Sequence, residues 1–283
     1  MLHETGVLPG ANGVQLTFED WRPEGPARGV VVLVHGYAEH IGRYKHVIAM
    51  LTERGYAVFA QDHRGHGRSS GERANVERFA LYVADLRPLV RRAQEAMPGV
   101  PLFMYGHSMG GLIATHYALD YPDGLDGLIL TSAAIQIGDD VSPLLKRVSG
   151  VAARVTPSLQ LVKGAEGVLS RDPSVEAATR VDPLCYNGGI KARMGNELLN
   201  ASLAAQARMG ELRLPLLVMH GTADRYTNPA GSRRLYEAAA SQDKTLKMWP
   251  DNYHELHNDL DCADVMDTLL AWLDAHSPAV GTA

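Results

Sequence analysis

Short strand-like runs alternate with helical patterns from residue 29 to residue 276, and few folds accept that rhythm. Gly29 to Val34 reads Gly-Val-Val-Val-Leu-Val, with no polar side chain in it. A strand written this way is covered on both faces rather than one. Arg43 to Arg54 then carries a helical pattern, Tyr56 to Gln61 a strand, and Val76 to Met97 a long helix stopped by Pro98-Gly99. Pro101 to Tyr105 is a strand, Ser108 to Tyr121 a helix ended by Pro122, and Gly127 to Thr131 a strand. After a gap the alternation resumes with strand Leu214 to His220, helix Gly231 to Ala240, strand Lys244 to Trp249 and helix Asp261 to His276. Val14 to Trp21 precedes them all and alternates like an edge strand. Strands regularly separated by helices predict an α/β fold, a mostly parallel sheet with helices on both faces. Right-handed crossovers then gather the loops that follow the strands along one edge of the sheet.

One of those loops carries chemistry. Gly106-His107-Ser108-Met109-Gly110 lies between the run Pro101 to Tyr105 and the helix from Ser108. A serine forced into a sharp strand-to-helix turn holds its hydroxyl clear of the backbone, and small flanking residues avoid the neighbouring strands. The first free N–H groups of the helix point at the same spot and can stabilise negative charge. In a chain with 28 glycines the pentapeptide alone is weak evidence; its strand-before, helix-after context and its downstream partners give it weight. A serine hydroxyl is a poor nucleophile until a base takes its proton and a third group orients that base. Asp224 closes the segment His220-Gly221-Thr222-Ala223-Asp224 just beyond one late strand, and His254 in Asn252-Tyr253-His254 follows the next. All three sit at strand ends, in the order nucleophile, acid, base.

Rival residues fit less well. His35, His63, His66, His107 and His220 also lie at loop edges. His107 is too close in sequence to face Ser108, and His63 and His66 follow an early strand, which suits loop-shaping. His257 sits one turn beyond His254, and Asp251 lacks the strand-end placement of Asp224. A second oxyanion donor belongs to the loop His35-Gly36-Tyr37-Ala38-Glu39-His40, so the backbone N–H groups of Tyr37 and Met109 are the expected pair.

Between roughly Ala134 and Arg213 there is no convincing strand. Val141, Leu144, Leu145, Val148, Val151, Ala152 and Val155 form an apolar stripe at helical spacing, with Ser142-Pro143 as cap and first turn and Lys146, Arg147 and Arg154 opposite. This segment reads as an inserted helical cap, residues 134–213, on a core made of residues 1–133 and 214–283. Composition narrows the function classes. With 46% hydrophobic and 21% charged residues and a net charge of -5, the 283-residue chain is an ordinary soluble globule with no basic run for nucleic acid. Cys185 and Cys262 show no C-x-x-C or metal-like spacing and read as reduced thiols. The N-terminus has no signal-peptide pattern, and no apolar stretch approaches the ~20 residues needed to span a bilayer. A cytoplasmic protein is expected, with surface contact with lipid left open. No metal or organic cofactor is expected, since there is no H-E-x-x-H, phosphate-cradling loop or nucleotide fingerprint. No obligate protein partner is evident.

These residues together carry a family resemblance. The chain resembles a monoacylglycerol lipase of the α/β-hydrolase superfamily in His35-Gly36 through His40 with Gly42-Arg43-Tyr44, and in Asp62-His63 with Gly65-His66-Gly67-Arg68-Ser69. It does so again in Gly106 to Gly111, in the cap segments Ser170-Arg171-Asp172 and Asp182-Pro183-Leu184, and in His220 to Arg225. Ser241 to Lys247 and Tyr253-His254-Glu255-Leu256-His257 complete the likeness, which covers nearly the whole chain. The resemblance implies the α/β-hydrolase fold, the same Ser108, Asp224 and His254, an acyl channel under the cap and a polar pocket for a glycerol head. Residue matching places Arg43 and His257 near that head. The stretch Pro173 to Val181 departs from the family in being poor in acidic and aromatic residues, and the Asp62 to Ser69 loop, shared widely among hydrolases, is architectural. The expected substrate is a monoacylglycerol or similar single-chain lipid ester, cleaved to glycerol and fatty acid through an acyl-enzyme. A broader carboxylesterase or lysophospholipase is the alternative, and a hydrolase-fold binding protein without turnover is a third reading. The apolar stripe of the cap suits packing on the core, and for some residues lining of the acyl pocket or contact with a lipid surface.

Overall fold

The computed structural model describes residues 1–137, 150, 153–162 and 166–277. Its strands, in chain order, begin with β1 (Leu2–Pro9), β2 (Gln15–Arg22), β3 (Gly29–Val34), β4 (Tyr56–Gln61), β5 (Leu102–His107) and β6 (Gly127–Thr131). Two short strands of the insertion follow, β7 (Gln160–Val162) and β8 (Ile190–Lys191), then β9 (Leu216–Gly221) and β10 (Lys244–Trp249). The helices used below are α1 (Lys45–Glu53), α2 (Ala80–Ala96), α3 (Met109–Asp120), α4 (Pro173–Val181), α5 (Ala192–Arg208), α6 (Pro229–Ala238) and α7 (Cys262–His276). The main sheet has the order β1-β2-β4-β3-β5-β6-β9-β10. β1 and β2 run antiparallel at one edge, and the remaining neighbours from β4 to β10 are parallel.

Side-chain alternation explains why β3 carries no polar side chain. On β3, Val30, Val32 and Val34 join a core with Leu86 and Leu89 of α2 and Leu112 and Ile113 of α3. Val31 and Leu33 point the other way, into a core with Val47 and Leu51 of α1 and Leu269 and Leu273 of α7. Both faces are dry, so every position of the strand must be apolar. The α/β-hydrolase arrangement expected from the sequence is present, with differences at its margins. β1 escaped notice because it is an exposed edge strand: most of its residues face solvent, and it is held by its ladder to β2 and by Glu4–Arg22 rather than by an apolar face. The long helix starts at Ala80 rather than Val76. The insertion, expected to lack strands, contains the two-strand ladder β7–β8, too short to leave a pattern. Of the proposed apolar stripe, residues 141–148, 151 and 152 fall outside the described residues, as do Ser142-Pro143, Lys146 and Arg147. No helix among the described residues is long and apolar enough to cross a membrane.

The chain moves from β3 outward to β4 and returns to β5 on the other side of β3. Loops leaving the ends of β3 and β5 therefore diverge, opening a crevice at the carboxyl edge of the sheet. Behind it, the Asp62–Ser69 loop is built as a brace. Asp62 accepts the amides of Ile41 (3.0 Å) and Arg68 (2.8 Å), and Arg64 forks onto Asp85 of α2 at 2.6 and 2.7 Å.

A cluster of buried histidines in this brace predicts acid sensitivity. The His35 and His63 rings lie 4.0 Å apart, His35 Nε2 accepts the His63 amide, and His63 Nε2–H donates to the His35 carbonyl. Burial pushes His63 down to about 3 and His66 down to about 4, and holds His35 well below the usual histidine range. The native state thus keeps these rings neutral where the unfolded chain, titrating near ~6.5, takes protons. Their contribution is intact above ~6.5 and is lost as pH falls toward 4, at about 1.4 kcal/mol per histidine per pH unit. Thermal unfolding followed by circular dichroism should give a Tm several degrees lower at pH 5 than at pH 7.5; a flat Tm over that interval contradicts this account.

Candidate active site

Ser108 occupies the turn between β5 and α3 with φ 54° and ψ −120°, a conformation that non-glycine residues rarely adopt. Such strain costs about 1–3 kcal/mol and persists only where the surroundings enforce it. Here the two flanking glycines let the turn close. A Cβ at Gly110 would lie 2.0 Å from the Val34 carbonyl, and one at Gly106 would lie 2.6 Å from the Gly110 carbonyl. Hydrogen bonds from the Ser108 amide to Thr131 (3.0 Å) and from the Ala134 amide to Ser108 (2.9 Å) fix the turn against the end of β6.

Three side chains from distant parts of the chain meet above this turn. Ser108 Oγ lies 2.9 Å from His254 Nε2, and His254 Nδ1 lies 2.8 Å from Asp224 Oδ2. Asp224 follows β9 and His254 follows β10, so adjacent parallel strands deliver acid and base side by side. Burial would raise the Asp224 carboxyl, yet the His254 and His220 imidazoles outweigh it and hold the group far below the carboxylate range. Burial works against protonation of His254, but the Asp224 charge prevails and raises its pKa above the ordinary value of 6.5. An ionised carboxylate only accepts, so His254 carries its proton on Nδ1 and presents a lone pair to the serine hydroxyl. Chemically, this arrangement is able to activate a serine hydroxyl as a nucleophile.

The turn after β3 supplies the facing wall. Tyr37 and Met109 both line the cavity over Ser108, and neither backbone N–H has a protein acceptor among the described residues. The Tyr37 side chain turns away, its hydroxyl donating to the Ala74 carbonyl at 3.2 Å. Glu39 shapes the turn from within, accepting from the Gly36 amide (2.6 Å) and the Tyr44 hydroxyl (2.7 Å). Arg43 joins this turn to the histidine loop: Nη1 reaches Glu39 at 2.8 Å, and the guanidinium forks onto Glu255 at 2.6 and 2.7 Å. Burial would raise Glu255, but Arg43 outweighs it and holds the carboxyl low. Glu39 is pushed up, by burial first and with the Glu255 charge adding to it.

Arg43 therefore lines the cavity, whereas His257 does not. His257 is fully buried, its ring stacked on Tyr44 at 4.6 Å and set edge-on to His107 at 4.9 Å. The placement of His257 at a head-group pocket is corrected on that ground: the residue of its loop that reaches the cavity is Glu255. Glu39 and Glu255 were passed over in the sequence because surface-like charges give no sign of their pairing. Their one visible signal is their position beside the loops of Tyr37 and His254.

The cavity measures about 470 Å³. Met109, Ala134, Ile137, Leu169, Ile190 and Leu198 give it an apolar lining, and His107, Glu39, Arg43 and Glu255 contribute polar groups. Its roof belongs to the insertion, stitched to the core at both functional loops. The Tyr186 amide donates to Ala38 (2.8 Å), and the Glu255 amide donates to Leu169 (2.8 Å). Among the described residues, one trio of metal-ligand types comes together: His40, Asp182 and Cys185, with donor atoms within 4.8 Å of one another. Two of its three members are already engaged with each other and with backbone amides. The Gly42 amide donates to His40 Nδ1 (3.1 Å), so the ring proton sits on Nε2 and goes to Asp182 (2.9 Å). Burial meanwhile pushes the Cys185 thiol up to about 12. The trio pins the cap to the turn after β3.

Known proteins similar to this chain match it over most of its length. The family described as serine aminopeptidase, S33, matches residues 25–261. The chain is 39% identical over 267 residues to the monoacylglycerol lipase of Mycolicibacterium smegmatis, covering 94% of this chain and 95% of that one. The chain belongs to the monoacylglycerol lipase family of the α/β-hydrolase superfamily. The human monoglyceride lipase is 36% identical over 279 residues, 98% of this chain and 92% of its own. In three dimensions the Paleococcus ferrophilus monoacylglycerol lipase superposes with a TM-score of 0.83 at 32% identity, covering 93% of this chain and 99% of that one. The match of the serine aminopeptidase, S33, family over residues 25–261 includes the insertion between β6 and β9. α4 lies in that insertion and is short of acidic and aromatic residues; Glu176 and Arg180 pair across one turn of it at 2.9 Å, and Thr179 and Arg180 line the cavity.

Proposed function

We propose that this chain hydrolyses monoacylglycerols to glycerol and free fatty acid, with Ser108 as nucleophile, His254 as general base and acid, and Asp224 as the group that orients and charges His254. The Ser108 hydroxyl gives its proton to His254 Nε2 as its oxygen bonds to the ester carbonyl carbon. The amides of Tyr37 and Met109 hold the oxyanion that forms. His254 then passes the proton to the departing glycerol oxygen and the acyl-enzyme remains. Water enters, loses a proton to the same imidazole, and frees the fatty acid. Arg43, held between two carboxylates at the cavity wall, offers donor capacity to a hydroxylated head. The observation that carries this reading is the Ser108–His254–Asp224 line of hydrogen bonds at 2.9 and 2.8 Å beneath a cavity with an apolar lining. Val155, Leu159 and Val181 of the cap are 74, 52 and 82% exposed, which suits transient contact with the lipid phase where such substrates reside.

A substrate panel on purified protein tests the proposal. Each acyl methylene that enters the apolar cavity contributes about 0.8 kcal/mol, roughly fourfold in kcat/KM. Monoacylglycerols from four to about twelve carbons should therefore be hydrolysed with steadily rising efficiency, and di- and triacylglycerols more slowly because the cap limits bulk. A plateau at four carbons identifies a small-ester carboxylesterase instead, and preference for lysophospholipids over monoacylglycerols identifies a lysophospholipase.

A further inference from the structure

We infer that His220 is a positioning residue for the acid of the triad, a second imidazole on the Asp224 carboxylate that fixes its orientation and sets how strongly it draws the proton of His254. The inference rests on the hydrolase reading above and extends it to a residue outside the cavity. His220 is fully buried on β9. Its Nε2 lies 3.0 Å from Asp224 Oδ2, and its Nδ1 lies 2.7 Å from Ser232 Oγ on α6. Because an ionised carboxylate has no proton to give, the His220 proton must sit on Nε2. A neutral ring then has its lone pair on Nδ1, which the Ser232 hydroxyl fills. Ser232 thus selects the tautomer that lets His220 donate to Asp224.

The same oxygen serves both rings. Asp224 Oδ2 takes His254 Nδ1–H at 2.8 Å and His220 Nε2–H at 3.0 Å, with the Thr227 hydroxyl at 2.8 Å. Oδ1 takes the amides of Tyr226 (2.7 Å) and Thr227 (3.1 Å). A donor on Oδ2 does two things. It holds the carboxylate at the angle that keeps His254 aimed at Ser108, and it draws off part of the negative charge that would otherwise bind the His254 imidazolium more tightly. Removing it should loosen the aim and raise the basicity of His254 together. A side chain that merely filled space would do neither. The other groups facing His254 are Glu255 on its own loop, buried His257 just beyond it, Glu39 on the turn after β3, neutral His107 next to Ser108 and the Tyr226 ring at 5.2 Å. Asp224 Oδ2 bonds both imidazoles, so a shift of the His254 titration on changing residue 220 reports on Asp224.

The test compares His220→Leu, which removes the donor, with His220→Gln, whose amide N–H can replace it. Activity is read as kcat and as the acid limb of kcat/KM on a neutral p-nitrophenyl ester. For His220→Leu, kcat should fall about 10–100-fold, as for other groups that orient a catalytic side chain, and the acid limb should move up by roughly half a pH unit or more. His220→Gln should return both close to wild type. Ser232→Ala, a milder change on α6, should move the limb in the same direction by less, and it stands in if the leucine variant does not fold. A folded His220→Leu with an unmoved limb overturns the inference, as does an unmoved limb in Ser232→Ala or a failure of glutamine to restore the profile. A wild-type protein with no esterase activity would defeat the hydrolase reading itself, whereas an active one with unmoved limbs defeats only the role of His220.

Discussion

Ser108→Ala should reduce ester turnover by up to about 10⁶-fold while leaving the protein folded. The size follows from what the hydroxyl does: without it no acyl-enzyme forms, and the remaining donors can only assist direct attack by water, which retains roughly 10³–10⁴ over the uncatalysed rate. The fold should tolerate the change because Ser108 Oγ has its hydrogen bond with His254 rather than with the turn itself. The backbone bonds from Ser108 to Thr131 and from Ala134 to Ser108 are unaffected by the side chain, and Gly106 and Gly110 still permit the close approach to β3. Kinetics on a monoacylglycerol, with circular dichroism of the same sample, check both halves. Turnover within tenfold of wild type contradicts the assignment of the nucleophile.

Asp224→Asn should lower kcat by about 10⁴-fold at neutral pH, with little change in KM. Asparagine keeps the shape, but its amide nitrogen is a donor where the site provides donors: the His220, His254 and Thr227 groups all aim protons at position 224. Whichever way the amide turns, it conflicts with one set or presents His254 with the wrong tautomer. The charge is lost as well. The Asp224 anion raises the His254 pKa above 6.5 against the opposing effect of burial, so with asparagine that pKa must fall. The sign is definite: His254 works only when deprotonated, so the acid limb of kcat/KM lies above 6.5 in wild type and moves to lower pH in the variant. An acid limb that stays in place means that Asp224 does not govern His254.

Much of this architecture was readable from residue order, for a physical reason. Strands buried on both faces are apolar through most of their length, so β3 to β6 and β9 announce themselves, and a sharp strand-to-helix turn needs small neighbours, so Gly106 and Gly110 frame Ser108. Asp224 and His254 were readable because parallel strands put their following loops on one edge. What stayed hidden depends on partners rather than pattern. β1 buries little, so pairing with β2 leaves no periodicity to detect. Glu39 and Glu255 look like surface charges until the turn after β3 and the loop after β10 converge on the Arg43 guanidinium. His257 illustrates the opposite error: the family resemblance implied a place near the head group, but ring direction is set by packing, and Tyr44 takes its face. His220 reads as one of several histidines at loop edges, and only the placement of α6 brings Ser232 to its far side.

The whole account depends on a hydroxyl that reacts because an oriented imidazole is waiting for its proton. Mass spectrometry of the protein after treatment with a fluorophosphonate probe examines that directly. One adduct should form, it should map to the peptide containing Ser108, and it should vanish in Ser108→Ala and slow severely in His254→Ala. An adduct on another residue, or an enzyme that hydrolyses esters yet never takes the probe at Ser108, contradicts it.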